Sequence, residues 1–207
     1  KLVIPLVQKL LIPWIIPKKE FTKFGVNAKD IIHYRAIDAA VITKRKISKN
    51  SKKPAKKVKR KIILVRVEEE QASYSSKKRP AFPIIKEIIK NFHNEEIVVM
   101  GRYSSQVKHL AQTFGNKIKI LDKVVDGKTL LNNVDVFIGS GGTMTAESAL
   151  LGVPTISYNA IPNIIETYLV RKKLVLRKTS PKQITVSIRK LLDSPNLEIK
   201  NRAKKML

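Results

Sequence analysis

From residue 62 onward, short apolar runs alternate with segments whose apolar residues recur at helical spacing. The run 62–67 is apolar almost without interruption, which is typical of a strand covered on both faces. The segment 80–92 places its apolar side chains on one stripe, which predicts a helix. The same reasoning predicts strands at 96–100, 117–121, 134–138, 154–158 and 174–176, and helices at 104–114, 129–133, 143–151, 162–170 and from 180 onward.

Residues at the ends of these segments support the helix boundaries. Ser104 or Ser105 is a plausible N-cap, and Gly152 is suited to end the helix that starts near 143. Ser180 followed by Pro181 predicts that the final helix begins there. Strands that alternate with helices predict an α/β fold in which a parallel sheet has helices on both faces. Ligands of such sheets bind beyond the carboxyl ends of the strands.

The first 61 residues have a different character. Residues 1–43 mix apolar runs with prolines and begin without a methionine, so we expect the chain to be the C-terminal piece of a longer protein. We predict that 1–43 is a remnant of an N-terminal domain with an interdomain segment, that 44–61 is a basic linker or loop, and that 62–207 is the main domain. The apolar start is too short and too interrupted for a membrane span or a signal peptide, so cytoplasmic residence is the default expectation.

Charge adds one question to this picture. The chain has 42 Lys and Arg against 16 Asp and Glu, a net charge of +26, and the run 44–61 is especially basic. Such a run repels itself and buries no apolar area, which predicts a loop. The excess charge either reflects a lysine-rich solvated surface or attracts nucleic acid, an anionic membrane face or phosphorylated substrates. No aromatic residue is interleaved in the run, so stacking on nucleic-acid bases is not expected.

Two residue types restrict the chemistry. The chain contains no cysteine, which excludes disulfides, thiolate metal sites and cysteine nucleophiles. Its three histidines, His33, His93 and His109, are widely spaced and match no metal-ligand pattern. We therefore expect no metal site.

A glycine-rich loop carries the strongest chemical signal. The strand predicted at 134–138 runs into Gly and Ser residues at 139–142, and the next helix begins near Thr143. Glycines permit positive φ and a close approach of ligand, and the free N–H groups of a helix start attract phosphate. Glu147, one turn into the helix, could accept hydrogen bonds from the paired hydroxyls of a ribose. The alternative is a simple tight turn, because neither the P-loop nor the Rossmann glycine pattern is present.

Other candidates lie at the ends of the first two predicted strands. Arg66 and Arg102 should reach the ligand edge of the sheet, and arginine is suited to bidentate phosphate contact. Glu68 and Glu70 either steady Arg66, contact a sugar or are solvated loop residues. Tyr103 either stacks on a base or packs at the sheet edge.

The loop also carries a family resemblance. Residues 135–158, which include Ser-Gly-Gly-Thr-Met-Thr-Ala-Glu, resemble the signature of an uncharacterised prokaryotic family, common in archaea, catalogued as domain of unknown function 354. That family is similar to GT-B glycosyltransferases and to UDP-N-acetylglucosamine 2-epimerases. Further segments at 24–34, 66–74, 101–103 and 125–127 fit as well, although Gly101 replaces a usual proline. The resemblance implies a GT-B-type C-terminal Rossmann-like domain plus a fragment of the partner domain.

The resemblance also implies residue roles. In lipid-linked N-acetylglucosaminyltransferases a Ser-Gly-x-x-Thr-x-x-Glu loop holds the donor, and it is similar to 140–147 without a gap, with Met144 where those enzymes often have Thr. This implies a ribose contact for Glu147 and donor-sugar contacts in the region 158–166, where Asn159 and Asn163 are candidates. The diphosphate contacts implied are Ser140, Gly141, Gly142, Thr143 and Met144.

Three functions remain open. The first is a glycosyltransferase half that binds a nucleotide-sugar donor, UDP-linked and without a further cofactor, whose catalytic base and acceptor site lie in the missing N-terminal domain, with an anionic membrane surface as a further partner. The second is a non-hydrolysing sugar-nucleotide 2-epimerase, which needs carboxylates or a histidine from both domains. The third is a non-catalytic polyanion-binding protein that uses 44–61.

Overall fold

A computed structural model describes residues 6–46, 60–70, 80–122, 125–158, 163–194 and 196–206. Within these residues the strands are β1 (Leu10–Pro13), β2 (Ile31–Tyr34), β3 (Ile62–Arg66), β4 (Glu96–Met100), β5 (Lys119–Leu121), β6 (Val136–Gly139), β7 (Thr155–Ser157) and β8 (Val175–Arg177). The helices are α1 (Lys19–Thr22), α2 (Val41–Lys44), α3 (Ala81–Asn91), α4 (Ser104–Phe114), α5 (Gly127–Leu131), α6 (Thr143–Leu150), α7 (Ile164–Arg171), α8 (Pro181–Asp193) and α9 (Leu197–Lys204).

The main sheet has six parallel strands in the order β5-β4-β3-β6-β7-β8. The chain builds one half of this sheet outward from β3 and the other half outward from β6. The strand order therefore reverses between β3 and β6. Sheets of this kind bind ligands beyond the carboxyl ends of the strands at such a reversal, and we term this region the crevice. The predicted α/β fold with a parallel sheet is confirmed.

Helices cover both faces of the sheet, because successive side chains of a strand point to opposite sides. Ile63 and Val65 of β3 are fully buried in a cluster with apolar residues of α3, α4 and α8. Leu64, on the opposite face, is fully buried in a second cluster with Phe137, Leu131 and Met144. This double burial explains why the strands read as unbroken apolar runs.

The helix ends differ from the prediction at two places. Neither Ser104 nor Ser105 is the N-cap of α4, because Tyr103 takes that position and the Gln106 side chain accepts the N–H of Arg102 at 2.8 Å. Ser180 and Pro181 start α8 as predicted, although the Ser180 hydroxyl makes no capping bond. Helix α8 is not the final helix, since α9 follows it with Ala203 as its one buried residue. With so little burial, α9 has no apolar stripe to reveal it.

The N-terminal segment forms a small sheet of its own and then packs on the main domain. Strands β1 and β2 pair in parallel over a cluster of Ile12, Val26 and Ile31. Farther along, Ile37 joins the apolar cluster that contains residues of α6 and α7, and Ile42 joins the cluster beneath β3 and β6. The proposed division at 43 and 61 stays a prediction, and most of the basic run, 47–59, lies outside the described residues. No helix in the described ranges is long and apolar enough to cross a membrane.

Candidate functional site

The start of α6 is open. Strand β6 ends at Gly139, and the chain turns through Gly141 and Gly142, which have φ values of +93° and +80°. Side chains with a Cβ rarely adopt this left-handed conformation, so the turn depends on glycine. No side chain among the described residues caps the helix at Gly142, and both Gly142 and Thr143 are exposed. The unpaired N–H groups of the first turn of α6 therefore face the crevice at the strand-order reversal.

Gly139 allows this loop to lie close to its helix. A Cβ placed on Gly139 would stand 2.7 Å from the Thr145 hydroxyl oxygen and 2.8 Å from a ring carbon of Phe137. Both distances are shorter than real Cβ contacts. The end of β6 and the first turn of α6 are thus held together at a spacing that only glycine permits.

Arg66 lies beside the helix start. It ends β3, it is half-buried, and its guanidinium Nη1 lies 2.8 Å from the sulfur of Met144, the second residue of α6. Burial lowers the pKa of Arg66, and the positive charge of Arg102 lowers it further, while the carboxylates of Glu147 and Glu69 oppose both effects. An anion beside Arg66 would therefore stabilise the charged form of this half-buried side chain.

Glu147 lies on the same flank of α6 as Met144. Its carboxyl is half-buried, and burial raises its pKa, while the charges of Arg45 and Arg66 lower it. Its Oε2 faces the start of α5, because a Cβ on Gly127 would lie 4.0 Å from it. The carboxyl group is therefore one helical turn from the glycine loop and borders the crevice.

Arg102, in the turn after β4, is paired with a carboxylate that sequence reasoning did not single out. Arg102 donates to Glu69 Oε2 at 2.6 Å, and the Tyr103 hydroxyl donates to the other oxygen of Glu69. The pairing tethers the turn after β3 to the turn after β4. Glu69 sits between two other acidic residues in a turn without periodicity, so the sequence offers no signal that would distinguish it.

Glu68 is turned into the protein. Its side chain is 6% exposed, and its Oε2 accepts hydrogen bonds from the Tyr158 hydroxyl at 3.0 Å and from the Ala81 N–H at 3.2 Å. Burial raises the pKa of Glu68. The Tyr158 hydroxyl also lies 2.9 Å from the carbonyl oxygen of Arg66. Glu68 is thus not a solvated loop residue, and it supports the backbone of Arg66 through Tyr158. Glu70 is half-buried in the same turn.

A cavity of about 510 Å³ lies on the other flank of α6. It is lined by the starts of α6 and α7 and by residues 37–39 of the N-terminal segment. Asn163 lines it too, and its side-chain oxygen accepts the N–H of Glu166 at 2.8 Å and thereby caps α7. Asn159, the other predicted sugar contact, lies outside the described residues. The region 158–166 includes Glu166, but sequence reasoning did not single it out, because its spacing from Asn163 signals only a helix cap.

The structure therefore brings the loop 139–143, Arg66 and Glu147 together at one crevice and places Arg102 nearby. Met144 has its side chain under Arg66, which leaves its backbone N–H for any phosphate contact. Tyr103 is half-buried with its hydroxyl bonded to Glu69. None of these positions tests a ligand contact, so the assigned roles stay predictions.

Comparison with known proteins agrees with this architecture. The family described as "Protein of unknown function (DUF354)" matches residues 1–206. An uncharacterised protein of Methanocaldococcus jannaschii is 32% identical over 115 residues, which are 55% of this chain and 33% of that protein. The chain thus spans about a third of this relative and about half of the solved structures that resemble it.

Those solved structures show the fold. UDP-GlcNAc 2-epimerase from Neisseria meningitidis, bound to UDP-GlcNAc, matches with a TM-score of 0.66 and 16% identity over 98% of this chain and 57% of its own. The M. jannaschii UDP-GlcNAc 2-epimerase, in complex with UDP-GlcNAc and UDP, matches with a TM-score of 0.64 and 15% identity over 93% of this chain and 56% of its own. The glycotransferase of kitacinnamycin matches with a TM-score of 0.61 and 17% identity over 97% of this chain and 50% of its own. The described domain therefore has the fold that GT-B glycosyltransferases and these epimerases share.

Proposed function

The chain belongs to the DUF354 family, and we propose that it is the nucleotide-sugar-binding half of a GT-B-like glycosyltransferase whose donor is UDP-linked. The observation that carries the proposal is the open start of α6 at the strand-order reversal, with Arg66 beside it and Glu147 one turn farther along. A helix start and an arginine on one side, and a carboxylate on the other, match the two ends of a nucleoside diphosphate.

The diphosphate lies against the loop 140–144 in this proposal. The helix start offers unpaired N–H groups and the positive end of the helix dipole, and the turn through Gly141 and Gly142 brings no side chain between them and the ligand. Arg66 gains most from such an anion, because burial and the charge of Arg102 both disfavour its cation in the free protein. The two arginines then share one diphosphate, which offsets the repulsion between their charges.

The ribose lies against Glu147. Two neighbouring hydroxyls can donate to the two oxygens of one carboxylate, and a hydrogen bond to a charged group contributes about 1.5–3 kcal/mol. The carboxyl group is far enough along α6 to avoid the phosphates yet stays on the flank that faces Gly127 and Arg45. Ser140 and Thr143 add hydroxyl groups at the phosphate end.

The chemistry assigned to this half is charge stabilisation. When the bond from the sugar's anomeric carbon to the diphosphate breaks and the bond to an acceptor oxygen forms, negative charge grows on the departing diphosphate. Arg66, Arg102 and the α6 N–H groups stabilise that charge. The acceptor's proton goes to a base that we assign to the acceptor-binding half of the enzyme. Positive charge comes from these groups and not from a metal ion or a further cofactor.

The epimerase alternative is less well supported by the described residues. It needs acid and base groups at the sugar carbon, and the carboxyl of Glu68 is instead bonded to Tyr158 and to the start of α3. Polyanion binding by the run 44–61 has no structural support, because most of that run lies outside the described residues.

The proposal is tested by calorimetric titration of the chain with UDP and with its 2′-deoxy analogue. We expect UDP to bind, and the deoxy analogue to bind about tenfold or more weakly, because Glu147 loses one hydroxyl partner. The Glu147→Gln variant should bind UDP at least about tenfold more weakly and should hardly distinguish the two ligands.

A matched control is Glu96→Gln. Glu96 starts β4 at the opposite edge of the sheet and pairs with Lys119 at 3.0 Å, so its neutralisation changes net charge equally without touching the crevice. The control should bind UDP like the parent chain. If the parent chain binds no UDP, or if Glu147→Gln and Glu96→Gln behave alike, the assigned donor site is wrong.

A further inference from the structure

The cavity beside α6 differs in charge from the rest of the protein. The chain carries 42 Lys and Arg against 16 Asp and Glu. Among the described residues that line the cavity, however, the ionisable ones are Asp38 and Glu166, both acidic. The remaining wall is mostly aliphatic, with contributions from Ile37, Ala146 and Leu169. Such a wall disfavours an anionic ligand and suits one that is in part apolar.

Glu166 is an unusual part of that wall. It is 4% exposed, and in the described part of the chain neither of its carboxylate oxygens has a hydrogen-bond partner. The guanidinium of Arg177 lies 4.0 Å from Oε1, which is beyond hydrogen-bond distance. The Thr145 hydroxyl, on the same cavity wall, is 2% exposed and likewise has no partner among the described residues. Buried polar groups normally have partners, because leaving them unpaired is costly.

The cavity is continuous with the phosphate end of the crevice, since Gly142 and Thr143 border both. A group attached to the outer phosphate of a diphosphate on α6 would therefore enter it. On the other flank of α6, Met144 and Glu147 face Arg66 and the start of α5. Helix α6 thus lies between the proposed nucleoside site, on the flank of Glu147, and the cavity, on the opposite flank.

We propose that this cavity selects the sugar of the donor, that Glu166 and Asp38 exclude a negatively charged sugar, and that the aliphatic wall favours an apolar substituent, such as that of an acetamido group. This inference rests on the proposed function. Glu166 accepts a hydroxyl or amide N–H of the sugar, and the aliphatic wall takes the methyl group. A sugar acid is repelled, because its carboxylate would meet two carboxylates, and Arg177, the cation near Glu166, is not among the described residues that line the cavity.

The test is calorimetric titration of the 207-residue chain with UDP, UDP-glucose, UDP-N-acetylglucosamine and UDP-glucuronate, which share one nucleotide. We expect the acetamido sugar to bind about threefold or more tightly than glucose, from burial of a methyl group. We expect glucuronate to bind about tenfold or more weakly than glucose. Glu166→Gln keeps the shape of the side chain and removes its charge. It should bind UDP within about twofold of the parent chain and reduce the discrimination against glucuronate to about threefold or less.

Two variants complete the design. Asp38→Asn changes an exposed residue and should also weaken the discrimination against glucuronate, which keeps the test decisive if Glu166→Gln does not fold. Glu96→Gln, at the far edge of the sheet, should leave it unchanged. If UDP binds but the three sugar nucleotides bind equally, or if the cavity variants discriminate like the parent chain, the inference is wrong and the proposed function stands. If UDP itself does not bind, the proposed function is wrong, and this inference with it.

Discussion

The hydroxyl of Tyr158 joins the ends of two strands beneath the proposed site, and its removal has a calculable effect. Tyr158 is fully buried, and its hydroxyl lies 2.9 Å from the carbonyl oxygen of Arg66 and 3.0 Å from Glu68 Oε2. Tyr158→Phe keeps the ring that fills the core and removes only the oxygen. The Glu68 carboxyl then keeps the Ala81 N–H as its described partner, while its other oxygen is already unpaired among the described residues.

Loss of a buried hydrogen-bond partner of this kind costs about 1–3 kcal/mol of unfolding free energy. For a chain of this length each kcal/mol corresponds to about 2–4 °C in Tm, so we expect a decrease of about 2–12 °C. Tyr168→Phe is the matched control, because the Tyr168 hydroxyl is partnered by the sulfur of Met206 at 3.7 Å, a weak acceptor. The control should change the free energy of unfolding by less than about 0.5 kcal/mol.

The effect of Tyr158→Phe should also depend on pH. Burial raises the pKa of Glu68 above its ordinary value of 4.5, so the folded chain binds this proton more tightly than the unfolded chain, and stability falls as pH rises above that value. The Tyr158 hydroxyl lowers the pKa of Glu68, so its loss raises that pKa further. The cost of the substitution should therefore be larger near about pH 7 than near about pH 4. Urea denaturation at the two pH values measures it, and a cost that is negligible or equal at both would refute the reasoning.

Three further predictions concern the crevice. Arg66→Met should raise the Tm of the ligand-free chain, because burial and Arg102 disfavour the cation, and should weaken UDP binding by about 10- to 100-fold. Calorimetry measures both, and a lower Tm or an unchanged affinity for UDP would contradict the prediction. Gly139→Ala should cost about 1–3 kcal/mol in urea denaturation, because its Cβ would meet the Thr145 hydroxyl at 2.7 Å, and an unchanged midpoint would count against that contact. Glu147→Gln should flatten the decline in ligand-free stability above pH 4.5, since burial raises the pKa of Glu147 in the folded state; thermal unfolding across this range should show it, and a slope equal to that of the parent chain would contradict it.

Sequence pattern predicted the fold where one physical effect dominated. The fully buried residues 63–65 of β3 leave no alternation, so the strand and the helices on both of its faces could be inferred together. Helix ends and weakly buried helices were harder to predict. The N-cap prediction at Ser104 or Ser105 failed because the Gln106 side chain satisfies the backbone there, and α9 was missed because it buries little more than Ala203.

The site could be predicted only in part, for a similar reason. The open start of α6 follows from glycines that are adjacent in the chain, and Arg66 follows from its place at a strand end. The role of Glu68 depends on Tyr158, about 90 residues away in the chain, and on Ala81 at the next helix start. The acidic cavity depends on how residues 37–39 pack against α6 and on where the start of α7 lies beside them. Such long-range packing has no local signature in one sequence.

The most direct measurement is an NMR titration of the isotope-labelled chain with UDP, because it reports on the backbone N–H groups that the account assigns to the diphosphate. The account predicts that the largest amide shifts, at saturating UDP, fall on Gly141, Gly142 and Thr143, and that Glu147 follows with a smaller shift. Shifts confined to the basic run 44–61, with these three amides unmoved, would contradict it.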